Sequence, residues 1–235
     1  GQVFLTVLKD ALWSGRGSSD MLLPKVDLGR LMPDAAHAWL TAHGAVVQTQ
    51  QRVEDLGPWL EHPLVLACPP WEAARLTQSL APSWSAQAAS LTHTAIATVY
   101  VRTAKRLSWR KPVVALNSHA QAPAQFAFDK GRLSADPAWQ GVLALVVSAC
   151  AGERDTITQQ VMGQLRDQLD IHDASLLTTV VEKRATFACT PTLERPPVQV
   201  CAGIWSCGDY VAGPYPATLE AAVRSGFAAA DALPQ

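Results

Sequence analysis

Val3, Val7, Leu8 and Leu12 recur at helical spacing, and the polar run 14–19 ends the pattern, which predicts a short helix followed by a loop. Asp27 can cap a helical turn. Pro33-Asp34 opens a second helix that carries Trp39 and Leu40 and stops at Gly44, as helix entry and exit chemistry requires. Residues 45–53 alternate in part and predict a strand, 55–58 a turn, and 64–68 a continuous apolar strand ended by Pro69 and Pro70. A helix over 71–80 starts just after that proline pair. From Thr94 the pattern changes to longer β-runs: 95–102, 113–116, 126–128 with 129–131 as its turn, and 142–149. Together they predict one mixed or antiparallel sheet. Residues 153–169 place Ile157, Val161, Leu165 and Leu169 on one face of an amphipathic helix. A long strand over 176–188, an irregular crossing marked by Pro191, Pro196 and Pro197, a strand near 198–205 and a helix over about 218–232 follow. The fold class implied is α/β in the α+β sense, without internal repeats.

Composition narrows the function classes. Of 235 residues, 49% are hydrophobic and 17% charged, enough apolar material for a sizeable core, which excludes a disordered or fibrous chain. With 19 basic and 20 acidic residues the net charge is −1, and no basic block exceeds the pairs Lys105-Arg106 and Arg110-Lys111. The phosphate-neutralising stripe of a nucleic-acid binder is therefore missing, and no nucleic acid is expected as partner. The cysteines number five, an odd count, and form no C-x-x-C pair. Buried reduced thiols are the simplest reading, and they point to a reducing, cytoplasmic compartment. The longest apolar run, 142–151, falls short of the roughly 20 residues of a membrane span and suits a buried strand. The first residue is Gly1 rather than Met, with no signal-peptide flank, so the chain reads as beginning within something larger.

Candidate chemistry concentrates in residues 203–226: a strand running into Gly208-Asp209, a Gly- and Pro-rich loop, and a helix whose first turn follows Pro216. Gly208 would let backbone approach a ligand, and Asp209 offers a carboxylate to sugar-like hydroxyls. The N–H groups near Ala217 and Thr218 favour developing negative charge. The constellation fits a flavin, with ribityl hydroxyls at Asp209 and the pyrimidine edge at the helix start. On the residues alone, a plain strand–loop–helix with Asp209 as a turn residue is preferred, because Gly-Asp is a common turn pair.

The segment GDYVAGPYPATLEAAVRSG closely resembles the C-terminal FAD signature of flavin amine oxidases and phytoene-type desaturases. QVFLTVLKDAL, LLPKVDLGRLMPDAA, LVLACPPWEAARL, ATVYVR and EKRATFACTP resemble one branch, the squalene-associated FAD-dependent desaturases, also described as hydroxysqualene dehydroxylases. The resemblance runs over nearly the whole chain and implies a substrate-binding mixed sheet with helices plus the C-terminal part of a GR2-type FAD-binding domain. It implies 1–44 as a helical part of the substrate domain, 45–90 as returning FAD-domain strands and helix, 91–190 as the substrate sheet, and 191–235 as the closing FAD-contacting strand and helix. It also implies cofactor contacts. Val53 matches a position whose backbone pairs with adenine, and Ala67, Pro69 and Pro70 match a strand end near the diphosphate. Gly208 and Asp209, with Pro216, Ala217 and Thr218, match ribityl and ring contacts. On the residues alone, Val53 and Ala67 read as core packing.

The family's N-terminal βαβ unit with G-x-G-x-x-G has no match here. Gly15-Arg-Gly17-Ser-Ser-Asp20 has half the spacing and follows a helix rather than a strand. The expectation is thus the C-terminal half of an FAD-dependent oxidoreductase acting on a long isoprenoid, by hydroxysqualene dehydroxylation or by desaturation. Its partners would be that hydrophobic substrate, the missing FAD-domain half, and another copy of itself through exposed apolar surface, with peripheral contact at the inner membrane left open. The chain alone is expected to hold FAD weakly or not at all. The rival is a noncatalytic binding module without FAD. The six histidines show no metal-ligand spacing. The eight tryptophans suit a core or the walls of a hydrocarbon pocket. Lys183-Arg184 reads either as a solvated strand face or as a cation near the flavin or near a polar substrate group.

Overall fold

The computed structural model describes residues 1–104, 107 and 109–234, so the pair Lys105-Arg106 lies outside the described residues. In chain order the elements are α1 (Gln2–Trp13), α2 (Leu28–Leu31), α3 (Pro33–Ala42), β1 (Leu64–Leu66), α4 (Pro70–Thr77), α5 (Pro82–Ala89), β2 (His93–Arg102), β3 (Val113–Ala115) and β4 (Phe126–Asp129). They continue as α6 (Lys130–Leu133), β5 (Val142–Cys150), α7 (Arg154–Leu169), β6 (Ser175–Phe187), β7 (Gln199–Cys201), β8 (Ile204–Ser206) and α8 (Leu219–Asp231). The mixed α/β class expected from the pattern is observed.

Four local expectations are corrected. Residues 45–53 form no strand: Gln50 adopts φ 59°, which interrupts an extended run, and no neighbouring strand pairs with the segment. The helix expected over 71–80 ends at Thr77, and a separate helix, α5, starts with Pro82 in its first turn. Instead of a turn, Asp129 caps α6 by accepting a hydrogen bond from the Arg132 N–H at 3.3 Å. The single strand near 198–205 is a hairpin, β7–β8, because Gly203 at φ +78° reverses the chain.

The chain divides into two compact units. One comprises residues 1–20, 50–93 and 186–235, the other 21–49 and 94–185. In the first, a three-stranded sheet has the order β1-β8-β7. β1 and β8 are parallel with Leu64, Val65 and Leu66 opposite Ile204, Trp205 and Ser206, and β7 runs antiparallel to β8. Its core gathers Leu56, Leu66, Trp84, Leu91, Ile204, Tyr210 and Val211. Ala73, Ala74 and Ala88 let α4 and α5 approach closely, and the Ser85 hydroxyl donates to the Ala74 carbonyl at 2.6 Å. α8 is two-faced: Ala221, Ser225 and Ala229 are buried, whereas Leu219, Val223 and Phe227 at i, i+4 and i+8 stand exposed.

The second unit is a five-stranded sheet of order β3-β4-β5-β2-β6, in which the β3/β4, β4/β5 and β5/β2 pairs are antiparallel. α7 presents Ile157, Val161 and Leu165 to Ala97, Val99, Val101, Leu143 and Leu145, as its periodicity predicts. Fully burying each of these larger side chains stabilises by about 1.5–3 kcal/mol. Between them sits one buried amide, Gln164. It accepts from the Ala124 N–H at 2.9 Å and donates to the Ala124 carbonyl at 2.8 Å, replacing a strand partner for the loop before β4. The cysteines depart from expectation: all five are free thiols, but four are only partly buried and Cys189 is exposed. Of the tryptophans, Trp84 and Trp205 are buried, while Trp13, Trp39 and Trp59 are exposed.

Candidate functional site

Parallel pairing brings the C-terminal ends of β1 and β8 side by side. The Cys207 N–H donates to the Leu66 carbonyl at 3.0 Å, so the turn at residues 67–70 and the Gly208-Asp209 turn leave the same sheet edge. In open α/β sheets that edge is where ligands bind. Two of the segments singled out in the sequence, 140 residues apart, therefore meet. Pro70 is buried at the first position of α4 and Pro69 precedes it as the cap residue, so the turn after β1 runs directly into a helix N-terminus.

Val53 and Ala67 come together as well. Both line a pocket of about 500 Å³ with Leu56, Trp59, Leu64 and Leu76. Val53 lies in the irregular segment, which Arg75 of α4 holds in place of a ladder. One arm of its guanidinium donates to the Val53 carbonyl at 2.8 Å and another to the Glu54 carbonyl at 2.7 Å, while Nε binds Glu72 at 3.0 Å. Arg52, 3.0 Å from Glu54 and 3.6 Å from Glu72, completes a charged rim to this apolar pocket. Core packing was the plainer sequence reading of Val53 and Ala67, but both are exposed.

The Gly208 turn is tightly specified. Gly208 has φ +155°, and a Cβ there would come within 2.6 Å of the Tyr210 ring. The glycine is thus required by its own neighbour. Tyr210 is buried and its hydroxyl lies 2.6 Å from that of Ser206; burial pushes the phenol well above its ordinary range. Ser225 of α8 ties the turn down, accepting from the Gly208 N–H at 2.8 Å with its oxygen 3.0 Å from the Gly208 carbonyl.

Asp209 is half-buried and forms no ion pair among the described residues. Burial raises its carboxyl above the ordinary range, opposed by nearby backbone N–H groups and by the His93 and Arg195 charges. His93 in turn meets the edge of the Trp71 ring at 5.1 Å. The Asp209 carboxylate thus keeps acceptor capacity for hydroxyl donors. The helix start is only partly available. Ala217, at φ 59°, spends its N–H on the Asp209 carbonyl at 3.3 Å, which corrects its expected role as a donor to the ring. Thr218 caps α8, its hydroxyl accepting from the Ala221 N–H at 3.1 Å and donating to the Tyr215 carbonyl at 2.7 Å. The amides of Leu219 and Glu220 in the first turn remain without intrahelical partners. Pro216 is partly buried just ahead of the cap. A free acceptor at Asp209 beside unspent first-turn amides fits a polyhydroxylated ligand with an anionic edge, as a flavin is.

Arg75, Arg195, Ser225 and His93 were not read as site residues. Ser225 stood within the quoted motif, and Arg195 stands immediately before Pro196-Pro197, a signal for an anchored crossing. Lys183 and Arg184 are exposed on β6, in the second unit. No group of three or more His, Cys, Asp or Glu side chains suited to a metal occurs among the described residues. No described helix is long and apolar enough to cross a membrane.

Known proteins resemble this chain in sequence and in fold. Over 55 residues, 22% of this chain and 13% of the relative, the sequence is 47% identical to hydroxysqualene dehydroxylase of Sinorhizobium fredii (strain NBRC 101917 / NGR234). The fold is similar to an oxidoreductase from Methanosarcina mazei, with TM-score 0.54 and 11% identity over 71% of this chain and 42% of that one. A Pyrococcus furiosus protein gives TM-score 0.52 and 9% identity, covering 72% of this chain and 40% of that one. The chain thus spans about two fifths of the length of these solved relatives. Residues 60–234 match the flavin containing amine oxidoreductase family. That span takes in β1, both sheets and the Asp209 turn, and the chain belongs to the flavin containing amine oxidoreductase family.

Proposed function

We propose that this chain forms the substrate sheet and the closing cofactor-contacting elements of an FAD-dependent oxidoreductase that acts on a long isoprenoid. The observation that carries the reading is the half-buried, unpaired Asp209 carboxylate at the shared edge of β1 and β8, beside the first turn of α8. Asp209 would accept hydrogen bonds from ribityl hydroxyls, and the amides after Thr218 would face the pyrimidine edge. The apolar pocket holding Val53 and Ala67 would receive the adenylate half, which favours FAD over FMN. A flavin supplies a two-electron donor or acceptor, serving either reductive dehydroxylation or desaturation.

The substrate class is supported by the stretch matching hydroxysqualene dehydroxylase and by the second sheet. On the face away from α7, the register sets Phe126, Val146 and Thr98 in one row and Phe128, Ala144 and Tyr100 in the next. Phe126 and Phe128 lie 6.4 Å apart, and Trp139 lies 6.4 Å from Tyr100. Such a face suits a polyprenyl chain, which offers dispersion contacts and no hydrogen bonds.

The test is a titration of FAD, FMN and riboflavin into the purified protein with the remainder of such an enzyme supplied in trans, followed by anaerobic mixing with hydroxysqualene and reduced flavin or with squalene and oxidised flavin. FAD should bind most tightly, and one of the two mixtures should change the flavin's visible absorbance. The absence of any flavin binding, even when the remainder of such an enzyme is supplied in trans, would favour the binding-module reading.

A further inference from the structure

Residues 207–217 have no ladder, yet every turn of the loop is anchored. Gly208 is fixed by Ser225, and the Val211 N–H donates to the Gly208 carbonyl at 3.3 Å. From the crossing segment, the Ala212 N–H donates to the Pro196 carbonyl at 2.9 Å. Arg195 adds a fork: one arm donates to the Val211 carbonyl at 2.8 Å and the other to the Gly213 carbonyl. Pro196 is fully buried, so the base of the fork is fixed by the core.

We infer that Arg195 is a positioning residue for Asp209: its guanidinium is spent on loop carbonyls, holding the loop in register while leaving the neighbouring carboxylate unpaired for a ligand. An arginine beside a carboxylate ordinarily forms a bidentate pair with it. Here the two feel each other's charge, yet the donors are turned to Val211 and Gly213. The acid therefore gains a favourable field without losing its acceptors. Lysine cannot reproduce this, because a single ammonium does not bridge two carbonyls as a planar fork does. The chain uses the same device at Arg75, which forks onto the Val53 and Glu54 carbonyls of the other irregular segment. The ligand in this inference rests on the flavin reading, whereas the fork itself does not.

The experiment compares wild type, Arg195→Lys and Arg195→Gln by amide hydrogen exchange without flavin, by the Asp209 titration in carbon-detected NMR, and by FAD titration. Both variants should exchange roughly tenfold faster at the Val211, Ala212 and Ala217 amides, the effect of losing about one hydrogen bond, with α8 still protected. The Asp209 midpoint should rise in the Gln variant and return toward wild type in the Lys variant, which keeps the charge. FAD affinity should fall in both. Unchanged exchange at those amides, or a loosened loop with unchanged FAD affinity, overturns the inference. Variants that lose protection everywhere assign Arg195 to folding and also overturn it. Failure of wild type to bind FAD even with the remainder of such an enzyme supplied in trans refutes the flavin reading, and the fork is then judged on exchange and the Asp209 midpoint.

Discussion

Replacing Asp209 by alanine or asparagine should weaken flavin binding without weakening the flavin-free fold. The carboxylate sits half-buried with its charge disfavoured by desolvation, which its backbone N–H neighbours and the His93 and Arg195 charges offset in part, so the folded chain retains a cost that a donor-rich ligand would relieve. A hydrogen bond to a charged group contributes about 1.5–3 kcal/mol, so Asp209→Ala should lower FAD affinity roughly 10- to 150-fold. Asparagine keeps one neutral acceptor, and Asp209→Asn should lose about tenfold. Stability should move the other way. With its folded-state pKa raised, the carboxyl binds more protons folded than unfolded, so its contribution to stability declines as pH rises from the ordinary carboxylate value through the raised one. Asp209→Asn removes that decline, and its thermal midpoint at neutral pH should match or exceed wild type. The assay pairs FAD titration, with the remainder of such an enzyme supplied in trans, with thermal melts of the flavin-free chain from pH 4 to pH 8. Unchanged FAD affinity together with lost turnover at saturating FAD would refute the cofactor-holding role. A neutral-pH midpoint well below wild type would refute the desolvation argument.

Three further outcomes follow from packing. Gly208→Ala forces a side chain against the Tyr210 ring at a positive-φ position and should cost about 1–3 kcal/mol, read as a lowered denaturation midpoint; a neutral result would mean that Tyr210 can swing away. Gln164→Ala strips both partners from the buried Ala124 amide group and should cost about 2–4 kcal/mol in urea unfolding, whereas Gln168→Ala on the exposed next turn should cost under about 1.5 kcal/mol. Phe4, Trp13, Leu219 and Phe227 are each at least two-thirds exposed, so sedimentation should show concentration-dependent association, reduced by Leu219→Ser with Phe227→Ser; a clean monomer over a wide concentration range would contradict this.

Periodicity located α7, α8 and β2 because each has one buried face, and burial leaves a repeat in the sequence; α3 shows helical spacing with no buried residue, and Val3, Val7 and Leu12 of α1 are exposed. It failed where the determinant was a single distant partner. Residues 45–53 look like a strand by composition, but a strand exists only through pairing, and here two arginine bonds do that work for Val53 and Glu54. α5 was missed because its buried side is made of Trp84, Ser85 and Ala88, too few apolar positions to signal a face. At the site, the Gly208-Asp209 turn and the α8 cap were visible in the motif. The use of the Ala217 amide was not, because its acceptor, the Asp209 carbonyl, is defined only once the loop folds back on itself.

The parallel pairing of β1 with β8 also governs the order of events during synthesis. The second unit's sheet and α7 lie within 94–185, where hairpin-like neighbours β4 and β5 can meet soon after they emerge. The first unit cannot close so early, since Leu66 waits 140 residues for Ser206, and the loop-closure entropy of that span must be met before any contact rewards it. The edge shared by β1 and β8 therefore assembles after the second unit's sheet. A truncation between β6 and β8 would leave a finished five-stranded sheet attached to an unclosed first unit, a species suited to capture by chaperones and proteases rather than to function.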